Sequence, residues 1–222
     1  MPGGILFNVA STSPTSSAKR VYAPRMPLVE RRRQIVDAAV DEYLDKGFHG
    51  ARVDSIAEAI GVSKPVLYGA FESKDLISVA VVEEVHRREA LALVQSGNLS
   101  HYDDLQRGHV VPLFESVFDF AAQNTKLCKF IYSDFRGAPP EAIDFHDDVF
   151  KQRTAGLAWH LRRFFGEGGG ADEKTQVFAD MISTVGRRGM TLVASGQVSD
   201  AEWLSAELGT ALERGLQASS AT

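Results

Sequence analysis

The chain has 222 residues, 44% of them hydrophobic and 24% charged, enough for one or two packed domains and inconsistent with a wholly disordered polymer. Its formal net charge of −5 excludes a protein coated on every side with nucleic-acid-binding charge. A single cysteine, Cys128, permits no internal disulfide and reads as a buried thiol. No apolar run approaches the roughly 18–20 residues of a bilayer span. The expected location is therefore the cytoplasm, with no membrane partner.

Residues 1–27 are rich in Ser, Thr, Pro and Gly, lack periodicity and read as a disordered basic arm. The apolar stretch Ile5, Leu6, Phe7 and Val9 has no basic residue before it and no small-residue cleavage site after it, so no signal peptide is expected. Met26, at the junction with the first helix, is an alternative start of the chain. Charge is unevenly spread: residues 1–75 hold ten Lys/Arg against nine Asp/Glu, and residues 76–222 hold fourteen against twenty. Lys19 to Arg33 contributes six of the positive residues and only one acid, Glu30. A basic end on an acidic body fits a protein that meets phosphates at one end only.

From Val29, apolar Ile35, Ala38, Ala39 and Tyr43 recur at helical spacing, and Gly47 stops the helix. Asp54 precedes a short helix bearing Ile56, Ala57 and Ile60, closed by Gly61. Ser63 is the expected cap of a third helix, with Pro65 in its first turn and Val66, Leu67 and Phe71 turned inward. Ser73 caps a fourth helix from about Lys74 to Gln95. Further helices are expected at about 103–123, 125–136, 140–165, 172–194 and 200–218, with Asp172 and Ser199 or Asp200 as caps. The fold class is all-α, and no repeat or strand pattern appears.

The segment Ile56–Phe71 reads IAEAIGVSKPVLYGAF. A helix-turn-helix needs a small residue where two helices cross, a glycine in the turn and an apolar anchor on the second helix. Ala57, Gly61 and Leu67 stand four and then six residues apart, which suits that geometry. Spacing alone leaves an ordinary αα-corner open. The flanks add Ile35 with Ala38-Ala39, Tyr43, Lys46-Gly47-Phe48, Gly61-Val62-Ser63, Leu67-Tyr68, Phe71, Ser73-Lys74 and Leu76-Ile77. On these residues the stretch from Arg31 to Ile77 resembles the DNA-binding domain of the TetR family.

The resemblance implies a helix-turn-helix domain at 28–75, a helical ligand-binding and dimerisation domain at 76–222, and a regulator rather than an enzyme. It implies a repressor, released from a palindromic double-stranded operator by a small, largely apolar effector. Ser63 is suited to capping the recognition helix or meeting a phosphate, and Lys64 and Lys74 to phosphates at its two ends. Tyr68 carries a phenol for phosphate contact, while Pro65 and Val66 offer apolar contact such as a thymine methyl. Arg52 is placed to reach backbone or a base edge. Where many members carry a large polar residue and then His or Tyr, this chain has Gly69 and Ala70. Gly69 permits close backbone approach to DNA, and the loss of side chains shifts weight to the basic arm and to DNA shape.

In the body, Phe114, Phe118, Phe130, Trp159 and Phe178 are the candidate ligand contacts, with Arg136, His109, His146 and Asp134 as groups to orient a polar head. The helices near 172–194 and 200–218 carry apolar stripes from which two subunits can build a four-helix bundle, Gly189, Gly209 and Gly215 letting backbones approach; an intrachain hairpin is the alternative. Six histidines are present, yet no H-E-x-x-H, C-x-x-C or nucleophile elbow appears, and neighbouring His146-Asp147-Asp148 do not point one way on a helix. No metal, cofactor or catalytic residue is expected. Gly168-Gly169-Gly170 lacks the G-K-[ST] of a phosphate loop and reads as a flexible connection.

Overall fold

A computed structural model describes residues 26–95, 97–166 and 170–220. The arm cations Lys19, Arg20 and Arg25 and the glycines Gly168 and Gly169 lie outside the described residues. The described chain is helical throughout, with no strand among its described residues: α1 (Leu28–Gly50), α2 (Val53–Ala59), α3 (Lys64–Tyr68), α4 (Lys74–Gln95), a short 3₁₀ turn (Asn98–His101), α5 (Tyr102–Leu105), α6 (Val111–Gln123), α7 (Thr125–Ile131), α8 (Pro140–Phe165), α9 (Ala171–Ser195) and α10 (Ala201–Ser220). No helix among them is long and apolar enough to cross a membrane.

Helix ends follow the expected turn and cap chemistry at some positions and depart from it at others. Regular helix stops at Gly47, whose φ of 66° and ψ of −178° send Phe48 in a new direction. Ser73 Oγ accepts the Leu76 N–H at 3.1 Å, and Asp200 Oδ1 accepts that of Trp203 at 2.8 Å, so both are true caps. Ser63 occupies the cap position of α3 with an extended backbone but makes no side-chain cap bond. Asp54 lies within the first turn of α2, its carboxylate engaged by Lys64 at 2.8 Å instead of by the helix end. Asp172 likewise sits in the first turn of α9, behind Gly170, and pairs with Arg162 at 3.0 Å.

The expected helix at 103–123 is two, broken around Gly108. The start of α6 is capped from far away in sequence: the Glu213 carboxylate of α10 accepts the N–H groups of Val110 and Val111 at 2.7 and 2.9 Å. This satisfies two otherwise orphaned donors and welds α10 to α6. The helix expected at 125–136 ends at Ile131, and residues 132–139 form a loop in which Phe135 takes a φ of 51°.

Two apolar clusters form the interior. The first joins Ile35, Tyr43, Ile56 and Leu67 of the head to Val81, Val85, Phe130 and Phe150 further along. Packing therefore continues through α4 with no linker at residue 75. The second lies within the body and includes Leu113, Phe118, Ile182, Leu204 and Leu216. Most of the stripe on α10 is turned into this cluster, Leu204, Leu212 and Leu216 being buried against their own chain.

The glycines of the last two helices correct an expectation. A Cβ on Gly189 would run into the Phe118 ring, one on Gly209 would stand 2.8 Å from Val111 Cα, and one on Gly215 would stand 3.3 Å from Phe178 Cε1. All three approaches are intrachain, because α6 and α9 seat their side chains where these glycines leave room. Gly209→Ala is expected to cost about 1–3 kcal/mol by overpacking, since the facing Val111 backbone has no rotamer to change. Urea denaturation at fixed protein concentration checks this; an unchanged midpoint would show that α10 stands further from α6.

Candidate nucleic-acid interface and body cavity

The turn between α2 and α3 is closed by the Val62 N–H donating to the Ala57 carbonyl at 2.9 Å, with Gly61 at a φ of 66°. That left-handed φ is what a glycine supplies without strain. Leu67 anchors α3, wholly buried against Ala57 and Ile56. Around this single anchor, Ser63, Lys64, Pro65, Val66, Tyr68 and Gly69 are all exposed. Val66 does not turn inward as expected: it is 44% exposed, because a helix of five residues has only one inward position and Leu67 occupies it. The outward face thus presents one cation, one phenol, one hydroxyl and two apolar groups.

Charge on this face is held loosely. Asp54 pairs with Lys64 at 2.8 Å and approaches Arg52 at 3.9 Å, all three at least half exposed. Exposed pairs of this kind contribute only about 0.2–1 kcal/mol, so these cations leave Asp54 at little cost. Lys74 is placed differently. It is half-buried, and its ammonium donates to the Phe48 carbonyl at 3.1 Å, tying α4 to the turn after Gly47. Arg32 is also turned to structure, donating through Nε to the Ala70 carbonyl at 3.0 Å and lying over the Phe71 ring.

Three contacts join this head to the body, the first to α4 itself and the other two to residues beyond it. Tyr43 and Ser78 hydroxyls share a bond of 2.7 Å, Lys126 pairs with Asp45 at 2.7 Å, and Phe48 packs on Phe130 and Phe135 with ring centroids 5.1 Å apart in each case.

The body holds a half-open cavity of about 240 Å³. Its walls come from α4 (Leu93, Val94), α6 (Leu113, Phe114, Val117), α8 (Phe150, Arg153, Leu157) and α9 (Ile182, Arg187, Met190), with Tyr132 beside them. Of the five aromatic residues expected as ligand contacts, Phe114 lines it and the other four do not. Phe118 stacks behind Phe114 at 5.2 Å and fills the space over Gly189. Phe130 belongs to the cluster around Phe48, and Phe178 is buried against Phe165 and Gly215. Trp159 is 58% exposed under Arg163. The expected polar heads are also elsewhere: Arg136 and Asp134 pair with each other on the surface at 2.5 Å, and His109 is exposed.

In their place stands a buried network of which the sequence reading named only His146. Glu89 of α4, fully buried, accepts from Arg153 Nη2 at 2.6 Å and from the Tyr132 hydroxyl at 2.5 Å. His86 Nδ1 lies 3.5 Å from the same carboxylate, and its Nε2 shares a 3.0 Å hydrogen bond with His146 Nδ1. Burial pushes the Glu89 carboxyl up, but His86, Arg153 and Tyr132 together outweigh it and hold the group at about 2. Burial lowers His146 to about 4. Glu89 follows Val82 by seven residues and Val85 by four, and Arg153 falls between Phe150 and Leu157, so each charge sits on an otherwise apolar stripe. A charge on a buried helix face was the available signal.

On the last two helices, after intrachain packing, Val177 (49%), Met181 (43%) and Trp203 (55%) remain exposed.

Residues 35–81 match the family described as bacterial regulatory proteins, tetR family. A curated relative, the HTH-type transcriptional activator FasR of Mycolicibacterium smegmatis, is 32% identical over 154 residues, 65% of this chain and 69% of the relative. Among solved structures, a TetR-like transcriptional regulator from Rhodococcus sp. RHA1 superposes with a TM-score of 0.62 at 26% identity, covering 87% of this chain and 99% of that one. The transcriptional regulator FadR from Bacillus subtilis, in complex with stearoyl-CoA, superposes with a TM-score of 0.60 at 20% identity, over 82% of this chain and 98% of that one. At that identity the last likeness concerns the fold alone.

Proposed function

Since the chain belongs to the TetR family of bacterial regulatory proteins, we propose that this DNA-binding transcription regulator is a cytoplasmic homodimer. On this reading it represses from a palindromic operator and leaves it when a small, largely apolar molecule fills the body. The observation that carries the reading is the course of α4. It starts at Lys74, directly after the recognition helix and its Ser73 cap, and ends with Leu93 and Val94 in the cavity wall. Anything that moves that wall tilts the lever on which the head is mounted. In a dimer the two recognition helices need a spacing of roughly 34–36 Å to enter successive major grooves, so a small tilt suffices to spoil the fit.

The dimer contact is assigned to α9 and α10, through Val177, Met181 and Trp203. DNA contacts are assigned to Arg52, Ser63, Lys64, Pro65, Val66, Tyr68 and Gly69, with Lys74 reaching a phosphate only by giving up the Phe48 carbonyl. A Lys64→Ala, Tyr68→Ala double variant is expected to bind operator at least about tenfold more weakly while keeping its helicity and dimer mass. Its salt slope should become shallower by about 0.9 for each phosphate that the variant no longer neutralises. Equal affinities and slopes in a fluorescence-anisotropy titration would remove α3 from the interface.

The ligand must favour the DNA-incompetent state, since equal affinity for both states shifts nothing. A coupling of about 1–3 kcal/mol gives roughly 5- to 150-fold loss of operator affinity. A second reading is favoured by the activator FasR: the same DNA binding raises transcription. A promoter–reporter fusion with and without the gene separates the two by the sign of the change.

A further inference from the structure

The inference rests on the reading of the cavity as the effector site, and it names the effector's class. The cavity wall contains two arginines, Arg153 and Arg187, and no acidic residue. Both guanidinium groups stand against the same ring, Arg153 at 5.3 Å and Arg187 at 4.8 Å from the Phe150 centroid. Among the described residues the Arg153 guanidinium donates only through Nη2, to Glu89, and so keeps most of its donors in hand. Arg187 forms no ion pair with any described residue, although it is exposed on the cavity wall and also lines a neighbouring polar groove with Asp147 and Asp180. Ser183, also on the wall, accepts from Thr154 Oγ1 at 2.9 Å, which leaves its own hydroxyl proton to donate.

We infer that the cavity takes a small apolar carboxylate, its anionic end held by Arg153, Arg187 and Ser183 and its body lying against Leu113, Phe114 and Met190. Glu89 neutralises one of the two arginines, so a single positive charge is left to match. That favours a monoanion over a phosphate dianion, and a planar fork matches a carboxylate bidentately. Size sets the rest. At about 30 Å³ for each water-sized group, the 240 Å³ cavity holds about eight non-hydrogen atoms, the size of hexanoate. The carboxylate also competes with Glu89 for Arg153, and Glu89 belongs to α4. Binding thereby loosens the lever at the point where it is tied to α8.

The test is calorimetry on the full chain with straight-chain carboxylates from butyrate to dodecanoate, 1-hexanol, hexyl phosphate and stearoyl-CoA. Hexanoate is expected to bind about tenfold or more tightly than 1-hexanol and than hexyl phosphate, with affinity falling beyond decanoate. In R187L, whose exposed position spares the fold, the preference for hexanoate over 1-hexanol is expected to drop about tenfold. R153K, which keeps a cation for Glu89 but loses the fork, should lose preference in the same direction. Equal affinities for hexanoate and 1-hexanol, tighter hexyl phosphate, or an unchanged preference in R187L would each overturn the carboxylate assignment. If stearoyl-CoA or a neutral apolar compound alone binds and releases operator, the carboxylate assignment falls and the effector reading stands. If molecules bind the cavity without changing operator affinity, the effector reading falls.

Discussion

Arg153→Ala is expected to destabilise the protein by about 3–5 kcal/mol, because it strands a fully buried carboxylate. The pair itself contributes little relative to a well-packed apolar substitute; the loss comes from leaving Glu89 with only Tyr132 and His86. The pH dependence separates this cause from simple loss of packing. In the intact protein the Glu89 carboxyl lies at about 2, below its ordinary 4.5. A depressed carboxyl contributes stability that is present above the unfolded value and lost as pH falls from about 4.5 towards 2, here on the order of 3 kcal/mol. Without Arg153, burial dominates and the folded group moves above its unfolded value, so the folded state gains a proton as pH is lowered. The deficit of the variant relative to the parent is therefore expected to shrink between pH 8 and pH 5. A deficit that stays constant over that range, measured by urea denaturation at fixed protein concentration, would mean that Arg153 matters only for the space it fills. The double variant Glu89→Leu, Arg153→Met should recover much of the loss, since neither charge is then left alone.

What was legible in the sequence was local. Gly47, Gly61 and Ser73 sit where turn and cap chemistry require them, and Leu67 and Ala57 recur at the spacing of crossed helices, so the head could be read residue by residue. The body resisted for a physical reason. Phe114 and Phe118 lie four residues apart on one stripe of α6, with the same chemistry and the same burial. One faces the cavity and the other fills the gap left by Gly189, and that difference is decided by α9, some seventy residues on. The glycines of α9 and α10 correctly signalled close approach, but close approach has no address in the sequence: the partners are Phe118, Val111 and Phe178 of the same chain. The cap that Glu213 places on α6 has no local signature at all. Glu89 and Arg153 were different. Their place on apolar stripes was visible, and weighing every charge against the helix face it occupies would have found them.

Phe48→Ala is expected to cost about 3–5 kcal/mol, the range for truncating a buried phenylalanine. The side chain is 6% exposed and belongs to no single domain. It follows Gly47, whose positive φ ends the regular helix and turns the chain in a new direction. Tyr43 of the head meets it edge-on at 5.6 Å, while Phe130 and Phe135 of the body meet it from the other side at 5.1 Å. The Phe48 carbonyl holds the Lys74 ammonium, and next to it His49 lies over Gly137, where a Cβ would run into the imidazole. The turn is therefore fixed at both ends, and the walls of the vacated space cannot collapse without moving α7 or α1. Phe135, with its φ of 51°, also packs on His146 at 4.1 Å, and His146 bonds to His86 beside Glu89. The truncation thus loosens a second connection between head and cavity, besides α4. Phe48→Leu, which keeps most of the volume, should lose less than about 1.5 kcal/mol. Denaturation of the three proteins at one protomer concentration gives the comparison, because a dimer's apparent stability depends on that concentration. Losses below about 1 kcal/mol for both variants would mean that the space closes freely, and that α4 alone carries the head.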